Sequence, residues 1–162
     1  MCGICGIIRF GGQGDDLAVV RAMTRALVPR GPDDEGTHGE GAVTLGNRRL
    51  AILDLSPAGH MPMTSASGRH VVTFNGEIYN HRELARELGL GADELRSHGD
   101  TEILLHAWER WGEGALDRLV GQFAFAMCER ATGRVWLARD RFGEKPLYYH
   151  RDGDALTFAS SL

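Results

Sequence analysis

The chain begins Met1-Cys2-Gly3-Ile4-Cys5-Gly6-Ile7-Ile8, and an apolar run this close to the first residue constrains the fold more than any stretch downstream. Ile4 to Phe10, ending at Gly11-Gly12, reads as a buried strand that holds the N-terminus in a sheet instead of letting it fray. What is held there is chemically unusual. If Met1 is removed, Cys2 carries a thiol and a free α-amine on one Cα. A thiol with an ordinary pKa of about 8.5 is mostly protonated at neutral pH, whereas an α-amine titrating near about 7.7–8.0 has a neutral form able to take its proton. One residue then supplies nucleophile and base. Read alone, Cys2 is equally a small residue at a chain start with no role. The C-x-x-C of Cys2 and Cys5 admits zinc or redox readings, but Cys128 stands alone and no His pair lies at ligand spacing. Redox pairs of this kind usually follow a strand at a helix start. No metal site is expected.

At 162 residues, one domain can bury roughly 68–70% of its unfolded surface without disulfide or metal staples. The net charge of -4 leaves no basic footprint for nucleic acid or anionic lipid. Three cysteines, few and odd in number, suit a reducing cytoplasm better than a disulfide scaffold. No basic start with a signal-like apolar run, no glycine behind Met1 and no run long enough to span a bilayer is present. A cytoplasmic domain with no nucleic-acid or membrane partner is the expectation.

Along the chain, Asp15 and Asp16 offer an N-cap to a helix with Leu17, Val20, Met23 and Leu27 on one face, stopped by Pro29. Arg30 to Gly41, rich in Gly, Pro and Asp, reads as loop, and Ala42 to Leu45 as strand. Arg49 to Leu55 fits a strand or an extended loop. Ser56 to Met63, with two prolines and a glycine, cannot be helix. His70 to Phe74 reads as a strand ending in an Asn75-Gly76 turn. Asn80 and Glu83 form a capping box for a helix striped by Leu84 and Leu88, and Asp100 or Thr101 opens another carrying Leu104, Ala107, Trp108 and Trp111. These two helices should cover one face of a sheet. Two hairpins follow, Gln122–Cys128 with Val135–Ala138 and Leu147–His150 with Ala155–Ala159. One α+β domain with antiparallel sheets results.

Beyond Cys2, three groups of residues carry chemistry. Asn75 and Gly76 can offer a side-chain amide and a backbone N–H to a developing oxyanion, although Asn-Gly is also an ordinary turn. A guanidinium such as Arg49 can grip a carboxylate and an aspartate such as Asp100 can accept from an ammonium, together recognising an amino acid. Each is equally a surface ion pair, or for Asp100 a helix cap, and periodicity cannot join them in space.

The motifs taken in order are more specific. MCGICGI, RGPDDEG (Arg30 to Gly36), RRLAILDLSPAGHMPM (Arg48 to Met63), FNGEIYN (Phe74 to Asn80), HGDTEILLHAWERWG (His98 to Gly112), GQFAFAM (Gly121 to Met127) and ARDRFGEKPLYY (Ala138 to Tyr149) resemble the glutaminase domain of class II glutamine amidotransferases, most closely that of glutamine-dependent asparagine synthetases. The resemblance implies a four-layer αββα sandwich, the N-terminal-nucleophile hydrolase fold, over residues 1–162. It implies hydrolysis of the glutamine side-chain amide to glutamate and ammonia through a thioester on Cys2, without a cofactor. It implies that Asn75 and Gly76 form the oxyanion hole, Arg49 holds the α-carboxylate, Asp100 and Glu77 face the α-ammonium, and the backbone around Leu50, Ile52 and Leu53 lines the pocket. It gives the ARDRFGEKPLYY segment no chemistry. Pro29 and Asn47 stand where many members carry His, or His or Glu. Members continue into a domain using ATP and Mg to activate an acid acceptor, and its Ser-Gly-Gly phosphate loop is not in this sequence. An ATP-dependent synthetase domain or subunit is therefore the expected partner, and a catalytically silent module docking on such a synthetase is the alternative.

Overall fold

The structure, a computed structural model, describes residues 1–12 and 14–162. The chain runs β1 (Gly3–Arg9), α1 (Leu17–Ala26), β2 (Asp34–Glu40), β3 (Val43–Arg49), β4 (Met63–Thr64), β5 (His70–Ile78), α2 (His81–Glu87), α3 (Asp100–Trp111), β6 (Gly121–Glu129), β7 (Arg134–Arg139), β8 (Tyr148–Asp152) and β9 (Ala155–Ala159). The strands form two sheets, ordered β2-β3-β1-β9-β8 and β4-β5-β6-β7, and every pairing within them is antiparallel. The chain start lies in the middle of the first sheet, between β3 and β9.

Side chains alternate across a strand, and that alternation sorts the apolar residues into three buried layers. Cys5 and Ile7 of β1 pack with Val20 and Leu27 beneath α1. Ile4 of β1 joins Val43, Leu45, Val71, Ala124, Ala126 and Phe158 between the sheets. Val72, Phe74, Phe123, Phe125 and Met127 meet Leu84 of α2 and Leu104 and Trp108 of α3 on the far side. Helix, sheet, sheet, helix is the αββα order expected. In β6 the small residues Ala124 and Ala126 face the other sheet and the phenylalanines face the helices, so the sheets approach closely. Gly6 belongs to the same fit, since a Cβ there would lie 2.5 Å from the Phe158 ring.

Several local expectations are corrected. Asp34–Glu40, expected within a loop, is strand β2, paired with β3 over its whole length. It lies at a sheet edge with little burial, so neither apolar alternation nor β-branched content announces it. Asn75-Gly76 makes no turn: both lie inside β5, opposite Ala124 and Phe123. Gly76 is needed for closeness, because a Cβ would meet the Gln122 carbonyl at 2.4 Å. Strand β3 runs on to Arg49. Asp16 makes no cap hydrogen bond, and its carboxylate is taken by Arg9 at 2.6 and 2.8 Å. Asn80 makes none either, bonding instead to the backbone of Arg118 and Val120. Within Ser56 to Met63, Pro57–Gly59 forms a single 3-10 turn.

Candidate active site

The register of β1 against β3 sets Gly3 opposite Arg48, so the next step outward brings Cys2 beside the chain leaving Arg49. The Leu50 N–H donates to Cys2 Sγ at 3.4 Å, and the thiol lies 3.6 Å from the Leu50 carbonyl. Burial pushes the Cys2 thiol up; the Leu50 hydrogen bond, the N-terminal charge and Arg49 pull it back, while Asp100 adds to the rise. Cys2 and Cys5 point to opposite faces of β1, so the C-x-x-C does not converge on one ligand. Cys5 contacts Thr24 under α1 and is pushed up to about 11 by burial. Among the described residues no group of three or more His, Cys, Asp or Glu could hold a metal ion. Gly3 makes room for the chain leaving α1, since a Cβ would lie 3.0 Å from Leu27 Cβ.

Arg49 is buried at the end of β3. Its guanidinium donates to the Ser56 carbonyl at 3.0 Å and to the Asp54 carbonyl. Gly59 leaves the necessary space, because a Cβ there would fall on the guanidinium. Asp54 secures this loop by accepting from the N–H groups of Ser56 and His98, each at 2.8 Å. Burial works to raise its carboxyl, but those hydrogen bonds, the Ser56 side chain and nearby Arg49 hold it below the usual range. Asp100, first residue of α3, accepts from the Ile78 N–H at 2.7 Å. Burial raises its carboxyl and Glu77 adds to the rise, against the Ile78 bond and nearby His81.

Asn75 is 1% exposed, and its Nδ2 has no hydrogen-bond partner among the described residues. A buried donor left unpaired in a folded chain is rare and costs about 1–3 kcal/mol. The direction of the Gly76 N–H follows from strand parity. Ile78 N–H reaches Asp100 and the Phe74 carbonyl accepts from Asn47, both on the edge of β5 away from β6, where Tyr79 N–H bonds Val120. Residues two apart share an edge, so Gly76 N–H faces that same side.

Cys2, Arg49, Leu50, Asp54, Asn75, Gly76 and Asp100 line one cavity of about 230 Å³, below the roughly 300–1,000 Å³ of drug-sized ligand sites and therefore scaled to a small metabolite. Every residue singled out from the sequence lies on it: Cys2, Arg49, Leu50, Ile52, Leu53, Asn75, Gly76, Glu77 and Asp100. Ile52 is largely exposed and Leu53 partly so. The sequence reading missed Asp54, Gly59, Gln122 and Lys145, which also line the cavity. It missed Asn47 too, fully buried and donating to Thr73 Oγ1 and the Phe74 carbonyl, which ties β3 to β5 just before Asn75. A polar residue at an inward position of a strand was the available signal.

The model of the glutamine amidotransferase domain matches residues 1–162. The protein named asparagine synthetase (glutamine-hydrolyzing) 3 of Bacillus subtilis is 37% identical over 165 residues, covering 100% of this chain and 27% of that protein. A putative asparagine synthetase (glutamine-hydrolyzing) 2 of Methanocaldococcus jannaschii is 36% identical, covering 100% and 34%. The chain thus spans about a quarter to a third of the length of these relatives. Among solved structures, the glutamine phosphoribosylpyrophosphate amidotransferase of Bacillus subtilis superposes with a TM-score of 0.80 over 98% of this chain and 42% of that one, at 20% identity, so the likeness is one of fold. The match over its full length places this chain in the glutamine amidotransferase domain family.

Proposed function

We propose that the chain hydrolyses the side-chain amide of glutamine and delivers the ammonia to an ATP-dependent synthetase region, of the kind that forms an amide on an acid as asparagine synthetases do. The observation that carries this reading is the unpaired Asn75 Nδ2, buried in the cavity that also holds Cys2. Its position suits an oxygen that becomes anionic during reaction, with Gly76 N–H as the second donor.

With Met1 removed, the Cys2 thiol gives its proton to the Cys2 α-amine as sulfur attacks the amide carbon. The carbonyl oxygen becomes the oxyanion held by Asn75 and Gly76. Collapse breaks the C–N bond, the amine returns the proton to the leaving nitrogen, and ammonia departs. Water then adds to the thioester with the amine again as base, releasing glutamate and the thiol. Arg49 retains N–H groups beyond the two spent on Ser56 and Asp54 and takes the α-carboxylate, while Asp100 and Glu77 take the α-ammonium. Backbone groups around Leu50, Ile52 and Leu53 line the glutamine site. This half-reaction uses no cofactor; ATP and Mg belong to the synthetase, and the setting is cytoplasmic. No helix among the described residues is long and apolar enough to cross a membrane.

One observation favours a second reading. The Met1 side chain itself lines the cavity, so a chain that keeps Met1 has its amine blocked and would be a silent module docking on a synthetase. Intact mass of the purified protein, with glutamate release by wild type and Cys2→Ala, separates the two. The proposal expects loss of Met1 and a fall of roughly 10⁴-fold or more in the variant. Full activity in Cys2→Ala overturns it.

A further inference from the structure

The Ala138 to Tyr149 segment, without assigned chemistry in the sequence, is built around one side chain. Asp140 accepts backbone N–H bonds from Phe123, Phe142, Glu144 and Lys145 at 2.9 to 3.1 Å. Arg139 donates to the carbonyls of Lys145, at 2.8 Å, and Gly143, which turns the loop at a φ of +68°. Lys145 is thus fixed at both its N–H and its carbonyl. Its side chain takes no part in the loop: buried at 7% exposure, it lines the Cys2 cavity with Nζ 3.1 Å from Met1 Sδ. No ion pair to Lys145 occurs among the described residues. The neighbouring cations are already committed, Arg49 to the carbonyls of Ser56 and Asp54 and Arg30 to that of Cys2. A buried ammonium with only a thioether for company is unfavourable, and that thioether leaves with Met1.

We propose that Lys145 is a positioning residue for the reaction described above: in the processed chain its ammonium faces Cys2 and keeps the Cys2 α-amine in its neutral, proton-accepting form. The Met1 sulfur is five bonds from the Cys2 nitrogen, so Nζ lies within about 9 Å of that nitrogen. A like charge at such range in a partly buried site disfavours protonation of the amine. Arg49 and Arg30 act in the same sense. The carboxylates of Asp100, Asp54 and Glu77 act against it, and the Cys2 thiol becomes a further opposing charge when it ionises. Without Lys145 this balance shifts toward an ammonium unable to accept the thiol proton. The inference rests on the glutaminase reading for its purpose, but not for its measurement.

The test is an NMR titration of the Cys2 α-amine in processed protein labelled with ¹⁵N-cysteine, beside the pH profile of kcat/KM for glutamate release. Wild type, Lys145→Met, Lys145→Gln and Lys145→Arg are compared. In the Met and Gln variants the amine titration and the acidic limb of kcat/KM should both move up by about one pH unit, giving about tenfold lower activity at pH 6.5 and near-normal activity at pH 9. Lys145→Arg should keep the wild-type profile. An unmoved amine titration, or a loss equal at every pH, overturns the proposal; if Lys145→Met fails to fold, Lys145→Gln carries the same test. Absence of glutaminase activity in processed wild type would instead overturn the reading above, with the amine titration still deciding the role of Lys145.

Discussion

The layer between the two sheets has two ends of opposite character. On the inward face of β3 the chain reads Val43, Leu45, Asn47, Arg49; on that of β5, Val71, Thr73, Asn75, Glu77; and on that of β1, Ile8, Gly6, Ile4, with Cys2 just before the strand. Each strand therefore passes from apolar to polar in the same direction. At one end the side chains bury surface and stabilise the fold; at the other they are held in place by hydrogen bonds and leave donors unpaired. Each buried apolar side chain contributes about 1.5–3 kcal/mol, whereas an unpaired Asn75 amide costs about 1–3 kcal/mol. The second end is maintained at the expense of the first. Substitutions should then separate stability from activity according to where they fall.

The largest effect on stability is expected beside the apolar layers. Phe125 is fully buried and meets Trp108 edge to face at 5.8 Å. Phe125→Ala should cost about 3–5 kcal/mol in denaturant unfolding, while the fraction that remains folded keeps its kcat. A similar loss of kcat per folded molecule would show that the two ends are not separable. Next in size is Asn75→Ala. If the amide serves a developing oxyanion, kcat should fall roughly 10²–10³-fold, with KM little changed and the melting temperature equal to or above that of wild type. A fall in stability with unchanged kcat would make Asn75 a structural residue and erase the contrast.

Much of this gradient was legible before any coordinates. In Gln122 to Cys128 the large residues Phe123, Phe125 and Met127 alternate with small ones, because burial on two sides leaves a period-2 record. The order of motifs brought Cys2, Arg49, Asn75 and Asp100 together although 97 residues lie between the first and the last. What escaped was what local chemistry cannot encode. β2 is a polar edge strand whose existence depends on its partner β3, and Asn75-Gly76 has the composition of a turn but is overridden by pairing with β6. Asp16 and Asn80 have the chemistry of helix caps, but longer-range partners, Arg9 and the Arg118–Val120 backbone, claim their side chains. Lys145 carried no pattern of its own, and Asn47 only a polar side chain at an inward strand position; the burial of both depends on how the layers meet.

The smallest effect expected is also the most direct measure of what the polar end costs. Asp100 has its carboxyl raised by burial above its unfolded value near about 4. Between those two values the folded chain binds more protons than the unfolded one, so this group's contribution to stability falls as pH rises. Asp100→Asn keeps an acceptor for Ile78 N–H and removes the charge. Relative to wild type, the variant should gain stability progressively as pH rises from about 4, and the gain should level off above the folded titration. On the proposed reading the same variant should raise KM for glutamine, because the ammonium partner is gone. Glutamine should in turn stabilise wild type against heat more than it stabilises the variant. A stability difference that stays flat with pH would mean that Asp100 carries no burial strain, and the polar end would then be no costlier than the apolar one.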